Sequence, residues 1–299
     1  MIYDIRHVTT YNYASPVSFA RCALRLVPET DAGQRLLSHR IEIKPKPALR
    51  QVRTDFFGTV TESIVVDTPH RILRIDSRAR VVVERTAPPR DAASPPWESV
   101  RDLAFGAVDV LARSPVNYVF ASPLVPILTE ATAYAAASLS EGRGILAGSA
   151  ELMQRIYREF KYDSTATVIS TPLAEVFDKR RGVCQDFAHV MIAGLRGLGL
   201  PAAYVSGYLR TMPPPGQPRL QGADATHAWA AVWSGEALGW IGFDPTNDLL
   251  VANNHVVLAM GRDFSDVSPV DGVIVGSRRQ RLGVAVDVIP VDPAQAASP

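Results

Sequence analysis

The tract Ala87-Pro88-Pro89-Arg90-Asp91-Ala92-Ala93-Ser94-Pro95-Pro96 restricts the fold of this chain more than any other feature, because the hydrophobic period changes across it. Before it, the runs Ile2 to Tyr13, Cys22 to Pro28, Leu37 to Ile43, Val60 to Val66 and Ile72 to Glu84 are strand-like and separated by Pro, Gly and Asp. Several short strands in succession predict a sandwich or small barrel. After it, Val100, Leu103, Ala104, Ala107 and Leu111 recur at helical spacing, and further helices are expected over Thr129 to Leu139 and Ile145 to Phe160. Proline removes ladder donors and stiffens the backbone, so the tract reads as a linker. The expected domains are 1–90, β-rich; 91–265, helical connector plus core; and 266–299, C-terminal strands with a frayed tail.

Composition excludes several classes of partner. The 31 basic and 30 acidic residues leave a formal net charge of +1, which gives no electrostatic reason to bind nucleic acid or an anionic membrane. No apolar run is long enough to span a bilayer, and the first residues lack the basic and apolar segments of a secretory signal. Cys22 and Cys184 fit neither a disulfide framework nor a CxxC metal site, so a reducing, cytoplasmic location and no metal are expected.

Thr171 is the expected N-cap, with Pro172 at the first position, of a short helix ending by Gly182. Gly182 is expected to free the backbone to turn into a second helix, Cys184 to Leu198, ended by Gly199 and Pro201. Cys184 then lies in a first turn, where unpaired N–H groups and the positive end of the helix dipole stabilise an anion and so favour the reactive thiolate. The alternative is a structural cysteine packed as a small hydrophobe. His189 lies about 140° around the axis from Cys184, a poor position for a base, and reads as a hydrogen-bonded packing residue. Asp186 suits a capping or dipole role.

Three strand-like runs follow: Ala202 to Leu209, Thr226 to Trp233 and Gly239 to Asp244. A hairpin centred near Gly235 and Glu236 places Asp244 directly opposite His227, with Cβ atoms about 5 Å apart on one face. A carboxylate there can accept a hydrogen bond from the imidazole. Cys184, His227 and Asp244 thus form a candidate nucleophile, base and orienter for acyl transfer. Cys184 would attack an amide or ester carbonyl, His227 would protonate the leaving group, and the backbone N–H of Cys184 is the candidate oxyanion donor.

The strings Arg181-Gly182-Val183-Cys184-Gln185-Asp186-Phe187-Ala188-His189, Tyr204-Val205-Ser206-Gly207-Tyr208, Thr226-His227-Ala228-Trp229 and Phe243-Asp244-Pro245-Thr246-Asn247 resemble the bacterial branch of the transglutaminase-like superfamily. So do His7-Val8-Thr9-Thr10-Tyr11, Asp55-Phe56-Phe57-Gly58 and Gly261-Arg262-Asp263-Phe264; Thr59 stands where the pattern has Asn. The resemblance implies an α+β fold. Its papain-like transglutaminase core, a Cys-bearing helix on an antiparallel sheet, follows a β-sandwich-like N-terminal domain. It further implies Cys184 as nucleophile, His227 as base and Asp244 as orienter; no metal-ligand spacing appears, so no cofactor is expected.

The function expected is hydrolysis of an amide or peptide bond in a peptide or protein substrate. The alternatives are protein-glutamine acyl transfer to an amine and a non-catalytic binding module. Trp229, Trp233 and Tyr208 are candidates for lining the cleft, and the proline-rich stretch from Thr211 to Asp224 for a rim or lid. Oligomeric state and the role of Arg262-Asp263 are not readable from the sequence.

Overall fold

The structure, a computed structural model, describes residues 1–211 and 225–291. The rim or lid expected between Thr211 and Asp224 falls almost wholly outside the described residues, as does the tail from Pro293 onward.

Six strands form the N-terminal part: β1 (Ile2–Val17), β2 (Phe19–Leu24), β3 (Gln34–Lys44), β4 (Leu49–Thr54), β5 (Val60–Val66) and β6 (His70–Val83). In β1 the alternation is close to ideal, with Tyr3, Ile5, His7 and Thr9 buried and their neighbours less so. β4 is invisible to hydrophobic periodicity because all six of its residues are exposed, which leaves no inward face to mark the period.

Beyond the proline tract come α1 (Trp97–Phe105), α2 (Thr129–Ala136), α3 (Ile145–Glu159), β7 (Lys161–Tyr162), α4 (Leu173–Lys179), β8 (Arg181–Gly182) and α5 (Cys184–Gly197). Then follow β9 (Ala202–Leu209), β10 (Ala225–Trp233), β11 (Trp240–Asp244), β12 (Leu249–Leu250), β13 (His255–Gly261), α6 (Phe264–Val267), β14 (Val270–Val275) and β15 (Gln280–Val291).

Three helical expectations change. α1 stops at Gly106, so Ala107 and Leu111 lie beyond it; Val100 and Ala104 are buried, whereas Leu103 and Leu111 are exposed. Thr171 does not cap α4: Pro172 holds the N-cap position, and the Thr171 hydroxyl accepts from the Val168 N–H instead. Gly182 is needed for a different reason from the one expected. Its φ is not positive, but a Cβ there would lie 2.4 Å from the Asp186 carboxylate.

Two four-stranded sheets, β15-β1-β6-β3 and β14-β2-β5-β4, face each other across Tyr13, Leu24, Ile41, Ile64, Leu73 and Ile75. The C-terminal segment does not stand apart. β15 pairs with β1 from Ile2↔Val291 to Tyr13↔Gln280, and β14 pairs with β2, so both chain ends build the sandwich.

The core sheet has the order β12-β11-β10-β9-β13, and α5 packs on β10 and β9 with α2, α3 and α4 behind it. A further apolar cluster, Tyr3, Ile5, Val81, Val286 and Val288 against Tyr208, Val256 and Leu258, joins sandwich to core. The contact between α2 and α5 is close: a Cβ on Gly194 would stand 2.8 Å from both the Ala131 carbonyl oxygen and the Ala135 Cβ. A mid-helix Gly→Ala change ordinarily gains about 1 kcal/mol, but overpacking costs about 1–3 kcal/mol. Gly194→Ala is therefore expected to be neutral to destabilising by up to about 2 kcal/mol, read as a urea midpoint; a clear stabilisation would show that the helices separate freely.

Arg262 and Asp263 take structural roles. Arg262 pairs with Asp266, and the Asp263 carboxylate accepts from the Ser265 and Leu124 N–H groups at the start of α6.

Candidate active site

Val183 is the extended residue before α5, and Cys184 is the helix's first residue. The Asp186 carboxylate reaches back to the Val183 N–H at 2.8 Å and accepts from the Thr167 hydroxyl at 2.6 Å. This reach-back closes the helix start, and the absent Cβ of Gly182 makes room for it. Cys184 is left half-buried at the mouth of a cavity of about 480 Å³.

The hairpin that brings up the other two residues is not in the expected register. The β10–β11 ladder runs Trp233↔Trp240 to Ala230↔Phe243, and Asp244 pairs onward with Leu249 of β12. Asp244 therefore stands opposite the strand position of Trp229 rather than that of His227. The loop is closed by Ser234 and Gly239, which centres the hairpin one position beyond the expected centre near Gly235 and Glu236. The displacement is two residues, and a shift of two preserves the face where a shift of one would reverse it. The side chains meet diagonally: His227 Nε2 lies 2.8 Å from Asp244 Oδ2.

With Nε2 committed to Asp244, Nδ1 is the nitrogen left to face Cys184, which lines the same cavity. Burial alone would push the imidazole down, but the hydrogen bond to Asp244 and the proximity of Cys184 outweigh it and raise His227 to about 10. His227 is thus held as the imidazolium at neutral pH, next to the thiol. Asp244 is fully buried, and burial by itself would favour its neutral form; the hydrogen bonds from His227 and His255 reverse that and hold it well below the usual carboxylate range.

Asp244 has partners that spacing could not supply. Oδ1 accepts from the Thr246 N–H at 3.0 Å and the Asn247 N–H at 3.3 Å, and Oδ2 accepts from Asn247 Nδ2 at 2.8 Å. His255, at the start of β13 and buried, adds Nε2 at 3.3 Å from the same Oδ2, while its Nδ1 has no partner among the described residues. Burial lowers His255, so its neutral ring donates through Nε2–H. Nothing in the sequence connects His255 to Asp244, because they meet only when β13 closes the far edge of the sheet.

The donor atoms of His227, Asp244 and His255 lie within 4.8 Å of one another, a grouping that could also take a cation. Both imidazoles aim at one carboxylate oxygen at N–H···O distances, which accounts for the cluster as a hydrogen-bonded unit.

Three cleft candidates fall elsewhere. Trp229 is 1% exposed and lies among Val205, Ala231, Val251 and Met260; Trp233 packs in the helix–sheet core; and the Tyr208 hydroxyl bonds His7 Nδ1 at 3.0 Å. None of them lines the cavity beside Cys184. β9 and β10 are interior strands of a sheet covered on both faces, so their large side chains become core. His189 accepts from the Phe264 N–H at 3.3 Å and packs on Tyr204, and burial lowers it to about 4.

The cavity beside Cys184 is lined by core residues such as Tyr204, Ser206 and Thr226 and also by residues from both ends of the chain. His7, Thr9, Tyr11 and Tyr13, alternate positions of β1, form part of the opposite wall, with Leu282 and Val284 of β15 beside them. Period two in the first strand marks that face as shared; it does not say what the face looks onto.

A helix with Cys184 at its start, on an antiparallel sheet behind a β-sandwich, defines a papain-like, transglutaminase-type fold. Residues 3–82 match the bacterial transglutaminase-like N-terminal region, and residues 134–245 match the transglutaminase-like superfamily core. An uncharacterized protein of Mycobacterium tuberculosis is 40% identical over 299 residues, covering 97% of this chain and 93% of that protein. The chain belongs to the bacterial transglutaminase-like family.

A protein-glutamine gamma-glutamyltransferase of Pseudomonas aeruginosa is 31% identical over 103 residues, covering 32% of this chain and 15% of that protein. Among solved structures, a protein of Cytophaga hutchinsonii described as a candidate cysteine protease superposes with a TM-score of 0.75, at 21% identity, covering 98% of this chain and 92% of that one. Among the described residues, no helix is long and apolar enough to cross a membrane.

Proposed function

We propose that the chain is a cysteine-dependent hydrolase that cleaves an amide or peptide bond in a peptide or protein substrate, with Cys184 as nucleophile, His227 as proton carrier and Asp244 as orienter. The observation that carries this reading is the His227 ring, hydrogen-bonded to Asp244 at 2.8 Å and lining the same cavity as Cys184. The Cys184 thiolate attacks the carbonyl carbon, and the Cys184 N–H, one of the first-turn amides that lack an intrahelical acceptor, faces the developing oxyanion. His227 Nδ1–H protonates the leaving amine as the C–N bond breaks, leaving a thioester on Cys184. His227, now neutral, takes a proton from water, which attacks the thioester and releases the acid.

Transfer of the acyl group to an amine is the second reading, favoured by the local similarity to the Pseudomonas glutamyltransferase. Incubating glutamine-containing peptides with and without a primary amine, and weighing the products, separates the two. Hydrolysis cleaves the chain with uptake of water or, at a side-chain amide, releases ammonia in exchange for water, whereas amine incorporation at the expense of hydrolysis would overturn the primary reading.

The Asp244 carboxylate has several donors, so one donor should matter in proportion. His255→Phe, which fills the volume without donating, is expected to lower kcat by about 5–10-fold at unchanged KM, and His255→Gln to restore most of the loss. Equal losses in both folded variants would mean that His255 merely fills space.

A further inference from the structure

We propose that the cleft beside Cys184 is a substrate subsite for a bulky, uncharged apolar or aromatic group flanking the scissile carbonyl, selected by a wall that the sandwich supplies. This inference rests on the acyl-transfer reading of Cys184.

The cleft, about 480 Å³, is large enough for such a group and opens directly onto the thiol. Ile169, Leu282 and Val284 line it while 62%, 53% and 48% exposed. Large apolar side chains left open to water beside a nucleophile are the mark of a surface meant to be covered. Tyr11 and Tyr13 stack 6.3 Å apart on the same wall and add aromatic surface.

Charge narrows the occupant. Among the described residues, no lysine or arginine lines the cleft, and its only carboxylate is the exposed Asp271. His7, pinned between Tyr208 and Thr9, stays neutral because burial lowers it to about 4. An anionic group entering there meets a carboxylate on the wall, and the one cation lining the cleft, the His227 imidazolium, is already paired with Asp244. The wall is also held in place, since the apolar cluster around Tyr3, Val286 and Tyr208 ties β1 and β15 to the core sheet. Binding thus requires no rearrangement of sandwich against core.

The test uses the full chain and three thiol reagents: chloroacetamide, N-benzyl-2-chloroacetamide and N-(2-carboxyethyl)-2-chloroacetamide. Alkylation rates at Cys184 are followed by peptide mass spectrometry and divided by each reagent's rate with glutathione. The benzyl reagent is expected to exceed the parent by about 10-fold, and the carboxyethyl reagent to fall below it by a similar factor. Leu282→Lys and Val284→Lys, each on an edge strand, are expected to compress or invert that ranking. Equal normalised rates, or a faster carboxyethyl reagent, overturn the subsite. The parent reagent's rate at Cys184 against Cys22 reports separately on the nucleophile, and the ranking is read at Cys184 whatever that absolute rate is.

Discussion

Cys184→Ala is expected to abolish turnover, by about 10⁴-fold or more, while the protein stays folded, and His227→Gln is expected to do nearly the same. The two residues act as one unit, so the double variant should lose little beyond either single change. Cys184 is half-buried at the start of α5, where truncation removes little packing. Iodoacetamide labelling gives a substrate-free readout. At pH 7, Cys184 should react faster than the buried Cys22, whose thiol burial pushes up to about 11, and His227→Gln should remove most of that preference. Equal, slow labelling of both cysteines in the wild type would sink the nucleophile assignment.

The same pair sets a pH dependence with a definite sign. His227 is raised from 6.5 to about 10, so its contribution to stability is fully present below pH 6.5 and is lost as pH rises towards 10. Asp244 is lowered, so its contribution is present above its ordinary range near 4 and is lost as pH falls through the acid region. The difference in urea midpoint between wild type and His227→Gln should therefore shrink as pH rises from 7 to 10. Turnover should decline over the same alkaline span as His227 loses the proton it must donate. A difference that grows with pH would mean that His227 is neutral in the folded protein.

Arg196→Ala is expected to destabilise the protein by about 3–5 kcal/mol, a larger loss than Gly194→Ala should cause two residues earlier on the same helix. Arg196 is 2% exposed near the end of α5 and donates to the carbonyls of Tyr118, Phe120, Ala202 and Arg262 and to the Ser122 hydroxyl. Those acceptors belong to the turn Pro115–Tyr118 and the chain after it, the start of β9 and the approach to α6. Burial lowers even this guanidinium, to about 10, and the dipoles of these carbonyls stand in for the water it has lost. Removing the fork leaves several buried carbonyls unsatisfied together. Lysine has one nitrogen where the site uses three, so Arg196→Lys should recover less than half of the loss. A urea midpoint for Arg196→Ala within 1 kcal/mol of wild type would show that water satisfies these carbonyls.

How much of this was legible depends on the range of each interaction. Cys184 at a helix start, the packing role of His189 and the strands 202–209 and 226–233 follow from local periodicity and turn chemistry. The proximity of His227 and Asp244 was readable although the hairpin register was not, because a two-residue displacement conserves the face. The centre of the loop from Ser234 to Gly239 was the unreadable quantity, and its shift by one position moved the pair from directly opposed to diagonal. Trp229, Trp233 and Tyr208 misled for the opposite reason. Period two shows that side chains share a face, but whether that face is a cleft or a core depends on what lies across it.

From sequence alone came the longer strands and helices in order, though not the fully exposed β4, together with the break at the proline tract and the triad of residue types, since all of these rest on contacts between near neighbours in the chain. Only the tertiary structure placed His255 on Asp244, Arg196 among four carbonyls, and β1, β14 and β15 around the cleft beside Cys184. Those contacts join residues as far apart as Tyr13 and Gln280, and no local preference encodes which distant strands will meet.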